Sequence, residues 1–427
     1  MATRESFGKT VELDKYPTIN PAIWCYSKKF LPTFSGTYYG VKIWIILLLL
    51  IFLGIMIYYM AKLYYSTESP DNIRCKLNNF LDKFEKYGDN RSSRKGILEY
   101  IEYLQSQGVP DSALLLTNFY VSASTSPGIF LPIRDGIASP DAIRLTLAAG
   151  ARYLDFQIWS DGKRNKYRPM IKGMDEDSKW RRITMTEMPF RTAMENVMKY
   201  ALSGPQADAN TNNAPYCHDP LIIMLRIDSK LKYDTYTEIA NILRDTIEPY
   251  RLDFTYNKWR NSQAILRSPI TTFLNKIIII SNVFPPNGNI LSDYINIGPR
   301  TALPMDLSSK ELKTIPDNNY SDYVRKIGQN ITISRNALVE PDCDKNINDW
   351  KMAQSFGIQI TPMNFWSEDD SLKEYMSNDN FGIYSFKLKP EALIVKHVYI
   401  EPPLIPHPSM NARDGKPIAP QAIIIPK

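Results

Sequence analysis

Histidine is the side chain best suited to moving protons near neutral pH, and this chain of 427 residues has three: His218, His397 and His407. His218 stands just before an apolar run and the other two lie near the C-terminal end, so all three read as structural or exposed. The four cysteines, Cys25, Cys75, Cys217 and Cys343, have no CxxC or zinc-ligand spacing. No GxGxxG, P-loop or GxSxG motif follows a strand-like run, which argues against nucleotide-binding and serine-hydrolase chemistry. No DxDxDG calcium loop occurs. The net charge of +6 is modest and scattered. The basic clusters at 163–168 and 179–182 are short, with acids around them. They read as solvated faces first and as contacts to anionic lipid head groups second. Nothing in the pattern suggests a nucleic-acid module.

Whatever chemistry exists must be positioned by the surrounding elements, and the clearest of these is apolar. Residues 43–61, IWIILLLLIFLGIMIYYMA, carry no charge and are closed by Lys42 and Lys62. At about 1.5 Å per residue this run spans roughly 28 Å, close to the hydrocarbon thickness of a bilayer. Trp44 lies near one end and Tyr58, Tyr59, Tyr64 and Tyr65 near the other, as interfacial aromatics do. The sequence therefore predicts a single-pass membrane protein, with one transmembrane helix ahead of a large domain. Lysines and arginines flank both ends, leaving the orientation open. Sequons at Asn90, Asn319 and Asn330 are compatible with a luminal face.

Around the span, residues 1–40 read as a polar tail and 41–65 as the anchor. Residues 66–113 read as a helical stalk or collar, with Leu77, Phe80, Leu81 and Phe84 at helical spacing and Leu98, Ile101 and Leu104 continuing it. Beyond 114 the pattern changes. Apolar, β-branched runs of strand length occur at 115–122, 152–159, 221–227, 276–283, 331–334, 358–365 and 381–388. Helical stretches at 140–149, 185–201, 233–247 and 348–356 fall between many of them. Runs apolar on both faces suit a buried parallel sheet, and strand–helix alternation over this length favours a (β/α) barrel or a doubly wound sheet. It also excludes a helical-bundle receptor. The Pro-, Asn- and Asp-rich stretch 285–323 reads as a linker between half-barrels at 114–284 and 324–402, and 403–427 as a proline-rich tail.

Five blocks, in order, carry a family resemblance. SPDAIRLTLAAGARYLDFQIWSDG (139–162), HDPLIIMLRID (218–228), SPITTFLNKIIIISN (268–282), AQSFGIQITPMNFW (353–366) and FGIYSFKLKPEAL (381–393) resemble, in sequence, the conserved segments of phosphoinositide-specific phospholipase C. The first three correspond to that family's X half and the last two to its Y half. The resemblance implies a TIM-like (β/α) barrel of the phospholipase C type, with its site at the C-terminal ends of the strands. It also implies cleavage of a phosphodiester with an inositol hydroxyl as nucleophile, two histidines, and a calcium ion held by carboxylates. The resemblance does not extend to the family's accessory domains, since neither flank of the barrel segments resembles a pleckstrin-type domain, EF-hands or a C2 sandwich.

Residue by residue, the implied site is degenerate. SASTSPG places Thr125 where the first histidine belongs, and MIKGM places Lys172 at the second. A threonine hydroxyl does not titrate near neutrality, and a lysine there would serve as a point charge for phosphate. Asp155 keeps one carboxylate of the metal shell, but Gln157 stands at the second. Arg226 occupies the glutamate position of the third strand, with Asp228 two residues on and facing the same way. A guanidinium repels a dication, and an ion pair between Arg226 and Asp155 across the mouth would close the metal site. A rearranged site from Asp155 and Asp228 stays open as the alternative. Ser281 and Asn282 replace the lysines expected after the fourth strand. Arg335 matches the family's phosphate-gripping arginine, or is an arginine paired at a strand end. The sequence thus predicts a membrane-held barrel, catalytically degenerate, that binds lipid or an unidentified protein partner or serves as a structural membrane component. It needs no cofactor, and calcium enters only if the alternative, an active divergent phosphodiesterase, holds. Its Asn-, Lys- and Ile-rich wording suits a large DNA virus or a protist.

Overall fold

The structure, a computed structural model, describes residues 38–66, 94–130, 137–160, 167–175, 181–182, 184, 186–202, 217–256, 264–299, 305–335, 346, 349–366, 369–395, 397–398 and 423–424. The readings made of residues 1–37, of the amphipathic stretch 77–84, of Cys25, Cys75, Cys343, Asn90 and His407, and of most of 403–427 lie outside them. The chain divides into two compact units, Met1–Asn78 and Asn79–Lys427.

The first unit holds helix α1, Tyr38–Ser66, 29 residues long. Its described side chains, 44–60, are exposed without interruption, from Trp44 at 56% to Met60 at 60%. Among the described residues no helix is long and apolar enough to cross a membrane. In α1 the described side chains alone fall short of the roughly 18 residues that a span requires.

The second unit is built on parallel strands buried on both faces. In chain order it holds α2 (Ile97–Ser106), β1 (Phe119–Val121), β2 (Ala123–Thr125), α3 (Pro140–Ala148), β3 (Tyr153–Ser160), β4 (Pro169–Ile171), β5 (Met188–Pro189), α4 (Phe190–Ala201), β6 (Leu221–Ile227), α5 (Tyr233–Ile247), β7 (Ile277–Ser281), β8 (Met305–Ser308), β9 (Thr332–Arg335) and β10 (Phe386–Leu388). A parallel ladder runs β8–β9, then through Ile333↔Ile360 and Val121↔Ile360 to the first strand. From there it continues β2–β3–β6–β7 and ends on Ile280↔Ile297.

Side-chain alternation makes this ladder curve. Along β3, β6 and β7, Tyr153, Ile222, Met224, Ile278 and Ile280 join Val121, Ala123, Ile333 and Ile360 in one interior cluster. The alternate residues Leu154, Phe156, Ile158, Leu221, Ile223, Leu225, Ile277 and Ile279 pack outward against Ile143 and Leu147 of α3, Val197 of α4 and Ile239 and Leu243 of α5. Each buried aliphatic side chain contributes about 1.5–3 kcal/mol. Two clusters fed by alternate residues of the same strands are what a (β/α) barrel wall produces. Helix α3 starts where Ser139 caps it by accepting from the Asp141 N–H, with Pro140 in the first turn. It stops at Gly150, whose φ of +95° suits glycine.

Several expectations need correcting. Residues 285–323 are not simply a linker, because Met305–Ser308 inserts there as strand β8. MDLS carries no β-branched residue, so its local pattern is weak, and the parallel pairing with β9 makes it a strand. The tail is not free of structure either, since Ile423–Ile424 pairs antiparallel with His397–Val398. Helix α2 is not a free stalk, for Ile97, Ile101 and Leu104 are buried in the interior cluster. The helix expected from 185 begins at Phe190, because Met188–Pro189 pairs with β4. Within 358–365 the ladder contacts are single bridges at Ile360 and Met363.

Candidate functional site at the barrel mouth

The strands end together, so residues near their C-terminal ends meet. Thr125 at the end of β2 is in register with Asp155 of β3, and Gln157 is in register with Arg226 of β6. The Lys172 N–H donates to the Gln157 carbonyl at 3.3 Å, bringing the residue after β4 into the same row. Thr125, Asp155, Gln157, Lys172, Arg226 and Asp228 are all buried.

Asp155 stands opposite Met224, so Arg226 is its diagonal neighbour one step higher. The long arginine reaches back, and its Nε lies 2.9 Å from Oδ1 and 2.7 Å from Oδ2. Both side chains are nearly closed to solvent, at 5% and 6% exposure. The Tyr153 hydroxyl lies 3.4 Å from Oδ2. Asp228 is a further carboxylate at the mouth, and its Oδ1 accepts from the Lys230 N–H at 3.0 Å, closing the turn into α5. A cation entering beside Arg226 would find Asp155 bound by the guanidinium and Asp228 committed to a turn. This donor set does not fit calcium, which takes six to eight oxygens. Among the described residues no group of three His, Cys, Asp or Glu side chains gathers as a metal site.

The residues that the resemblance sets at phosphate positions are also bonded within the chain. Ser281 Oγ donates to the Val283 carbonyl at 2.8 Å. Asn282 accepts from the Ile227 N–H at 2.7 Å and donates to its carbonyl at 3.2 Å, zipping the end of β6. Lys172 is 3% exposed. Its Nζ pairs with the Glu187 carboxylate and lies 3.6 Å from the Trp159 ring centroid. Arg335 closes β9 opposite Ser308, and its side chain lies outside the described residues. His218 sits at the far end of the barrel, with Nδ1 2.7 Å from Asn275 Oδ1. His397 lies in the strand paired with Ile424.

The sequence reading did not find Trp159 or Glu187. Trp159 was accessible to it, since Asp155, Gln157 and Trp159 share one face of a strand. Glu187 carries no sequence signal, because it reaches Lys172 only through the pairing of β5 with β4. Away from the mouth, burial pushes the Asp219 carboxyl up to about 6, against the pull of Arg152 and of the Ile97 N–H it accepts from. Burial also brings the Lys389 amine down to about 7.

Comparison with known proteins comes down to structure alone, since no family model and no curated protein matches the chain. The chain is similar to phosphoinositide-specific phospholipase C structures. PLC21 of S. officinalis overlays with a TM-score of 0.49 at 16% identity, covering 67% of this chain and 39% of that one. The calcium-dependent phosphoinositol-specific phospholipase C of a Pseudomonas sp, in its apo form, gives 0.38 at 8% identity, covering 66% and 97%. The calcium-dependent enzyme of Streptomyces antibioticus gives 0.33 at 9%, covering 61% and 96%. The chain thus spans about two fifths of the length of the PLC21 proteins.

Proposed function

We propose that this protein is a membrane-tethered, phospholipase C-like barrel that binds phospholipid or a partner protein and does not hydrolyse phosphodiesters. The observation that carries the reading is the Arg226 guanidinium lying on Asp155, in place of the cation that would activate a nucleophile and neutralise phosphate. Thr125 and Lys172 at the expected histidine positions support it, because neither shuttles protons readily at neutral pH. Tethering is supported by the uncharged run 43–61 and by α1, whose 29 residues extend about 43 Å. Each large apolar side chain of that helix left in water would cost about 1.5–3 kcal/mol. A bilayer removes this cost, and no partner inside the chain is needed. On this reading the barrel uses no calcium.

The test is head-group release from vesicles containing phosphatidylinositol, using the full chain with and without calcium. The expected result is no release above the blank under either condition. Calcium-dependent release that disappears in Asp155→Asn would establish the active alternative instead. Extraction at alkaline pH should leave the protein in the membrane pellet, and its appearance in the supernatant would remove the tether.

A further inference from the structure

Among the described elements of the second unit, α2 comes first in the chain, and contacts from separate places hold it to the barrel. Arg94 Nη1 donates to the Ala149 carbonyl at 2.6 Å, and the Lys95 N–H to the Ile383 carbonyl at 3.0 Å. The Ile97 N–H donates to Asp219 Oδ1 at 2.9 Å. The Tyr100 hydroxyl accepts from the Leu388 N–H at 3.3 Å. Ala149 and Asp219 stand just ahead of the parallel strands β3 and β6. The helix therefore crosses the base of the barrel, where Ile97, Ile101 and Leu104 close the interior cluster. Asp219 is the polar point of this contact. Gly96, ahead of the helix, offers no side-chain cap, so Asp219 serves the open amide end instead. It is 2% exposed, and its Oδ2 has no hydrogen-bond partner among the described residues.

We propose that Asp219 is a proton-sensitive clasp that fixes segment 94–106 to the base of the barrel, holding it more firmly in acid than at neutral pH. Burial acts against the carboxylate's charge. Arg152 of β3, the Ile97 N–H and His218 favour the charge, and Glu99 of α2 opposes it. The Cys217 thiol, pushed up by burial, is uncharged across this range. Burial prevails, so the docked helix covers a group that holds its proton to about pH 6. When α2 lifts away, Asp219 regains water and releases the proton more readily. Docking is therefore coupled to proton uptake, and it weakens as pH rises through about 6.

The test is amide hydrogen exchange, read by mass spectrometry, on the full chain in phosphatidylcholine nanodiscs at pH 4.5 and 7.5, with intrinsic rates corrected for pH. Peptides covering 97–106 report the clasp, and peptides covering β6 report the barrel. With Asp219 titrating at about 6 when covered and at the ordinary 3.8 when released, protection of 97–106 should fall by roughly 25-fold from pH 4.5 to pH 7.5. The segment should be less protected than β6 at both values, because it opens while the barrel stays folded. Equal protection of 97–106 at the two pH values overturns the proposal. So does protection equal to that of β6, which would mean that the helix leaves only when the barrel unfolds. Both readings come from wild type and need no variant. Asp219→Asn keeps an acceptor for the Ile97 N–H and does not titrate, so the fall should vanish there. A fall that persists in Asp219→Asn assigns the effect to another group and also overturns the proposal.

Discussion

Replacing Arg226 with methionine is the sharpest perturbation of the mouth. Unit charges 2.7 Å apart attract by about 6 kcal/mol at an effective dielectric of roughly 20. Removing two ions from water costs several kcal/mol each, so the pair as a whole contributes little net stability. Losing one member is different, because Asp155 is then left buried without its counter-charge. Arg226→Met should cost about 3–5 kcal/mol. Asp155→Leu should cost a similar amount through the stranded guanidinium. The double variant, with apolar side chains in both places, should return to within about 1–2 kcal/mol of wild type, giving a coupling of roughly 3 kcal/mol or more. Denaturant titration of the full chain in detergent, followed by near-ultraviolet circular dichroism of the barrel aromatics, reads all four corners of the cycle. Additive losses, or single variants each costing less than about 1 kcal/mol, would refute a buried, mutually dependent pair. The cation's place would then be unguarded.

Two further outcomes concern buried titratable groups away from the mouth. Asp219 has its carboxyl raised to about 6 in the fold, above its ordinary 3.8, so the folded state holds the proton more tightly than the unfolded chain. Its cost is absent below about pH 4 and fully present above about pH 6, amounting to roughly 3 kcal/mol there. Wild type should gain on Asp219→Asn as pH falls from 7 to 4 in a melting series, and a difference independent of pH would contradict this. Lys389 is lowered to about 7 from 10.5. The fold is therefore penalised where the unfolded amine is protonated and the buried one is not, and increasingly until pH falls to about 7. Lys389→Met should raise the melting temperature more at pH 6 than at pH 10, and an equal gain at both would count against a buried neutral amine.

The strand-forming segments were legible because their composition states how they are buried. LIIMLRI reads as a strand closed on both faces, and β6 runs over those residues with every one buried. The helical stretch at 233–247 was equally clear, and α5 spans those residues. Strand β8 was not legible, because MDLS has little intrinsic preference and is held by its partner. The site divides in the same way. That Thr125 and Lys172 stand where the resemblance sets histidines, and Arg226 where it sets an acid, can be read letter by letter. Glu187 and the α2 contact to Asp219 cannot.

The sequence by itself therefore determined the apolar helix run, the order of the barrel segments, and which residue types stand at the positions the resemblance marks. These follow from local composition, period and residue identity. Only the tertiary structure decided what the remaining charges do. Arg226 lies on Asp155 because β3 and β6 are set side by side at one register, 71 residues apart in the chain. Glu187 reaches Lys172 because β5 returns alongside β4. Ion pairs between distant segments depend on strand register and burial, and neither is fixed until the barrel wall has formed.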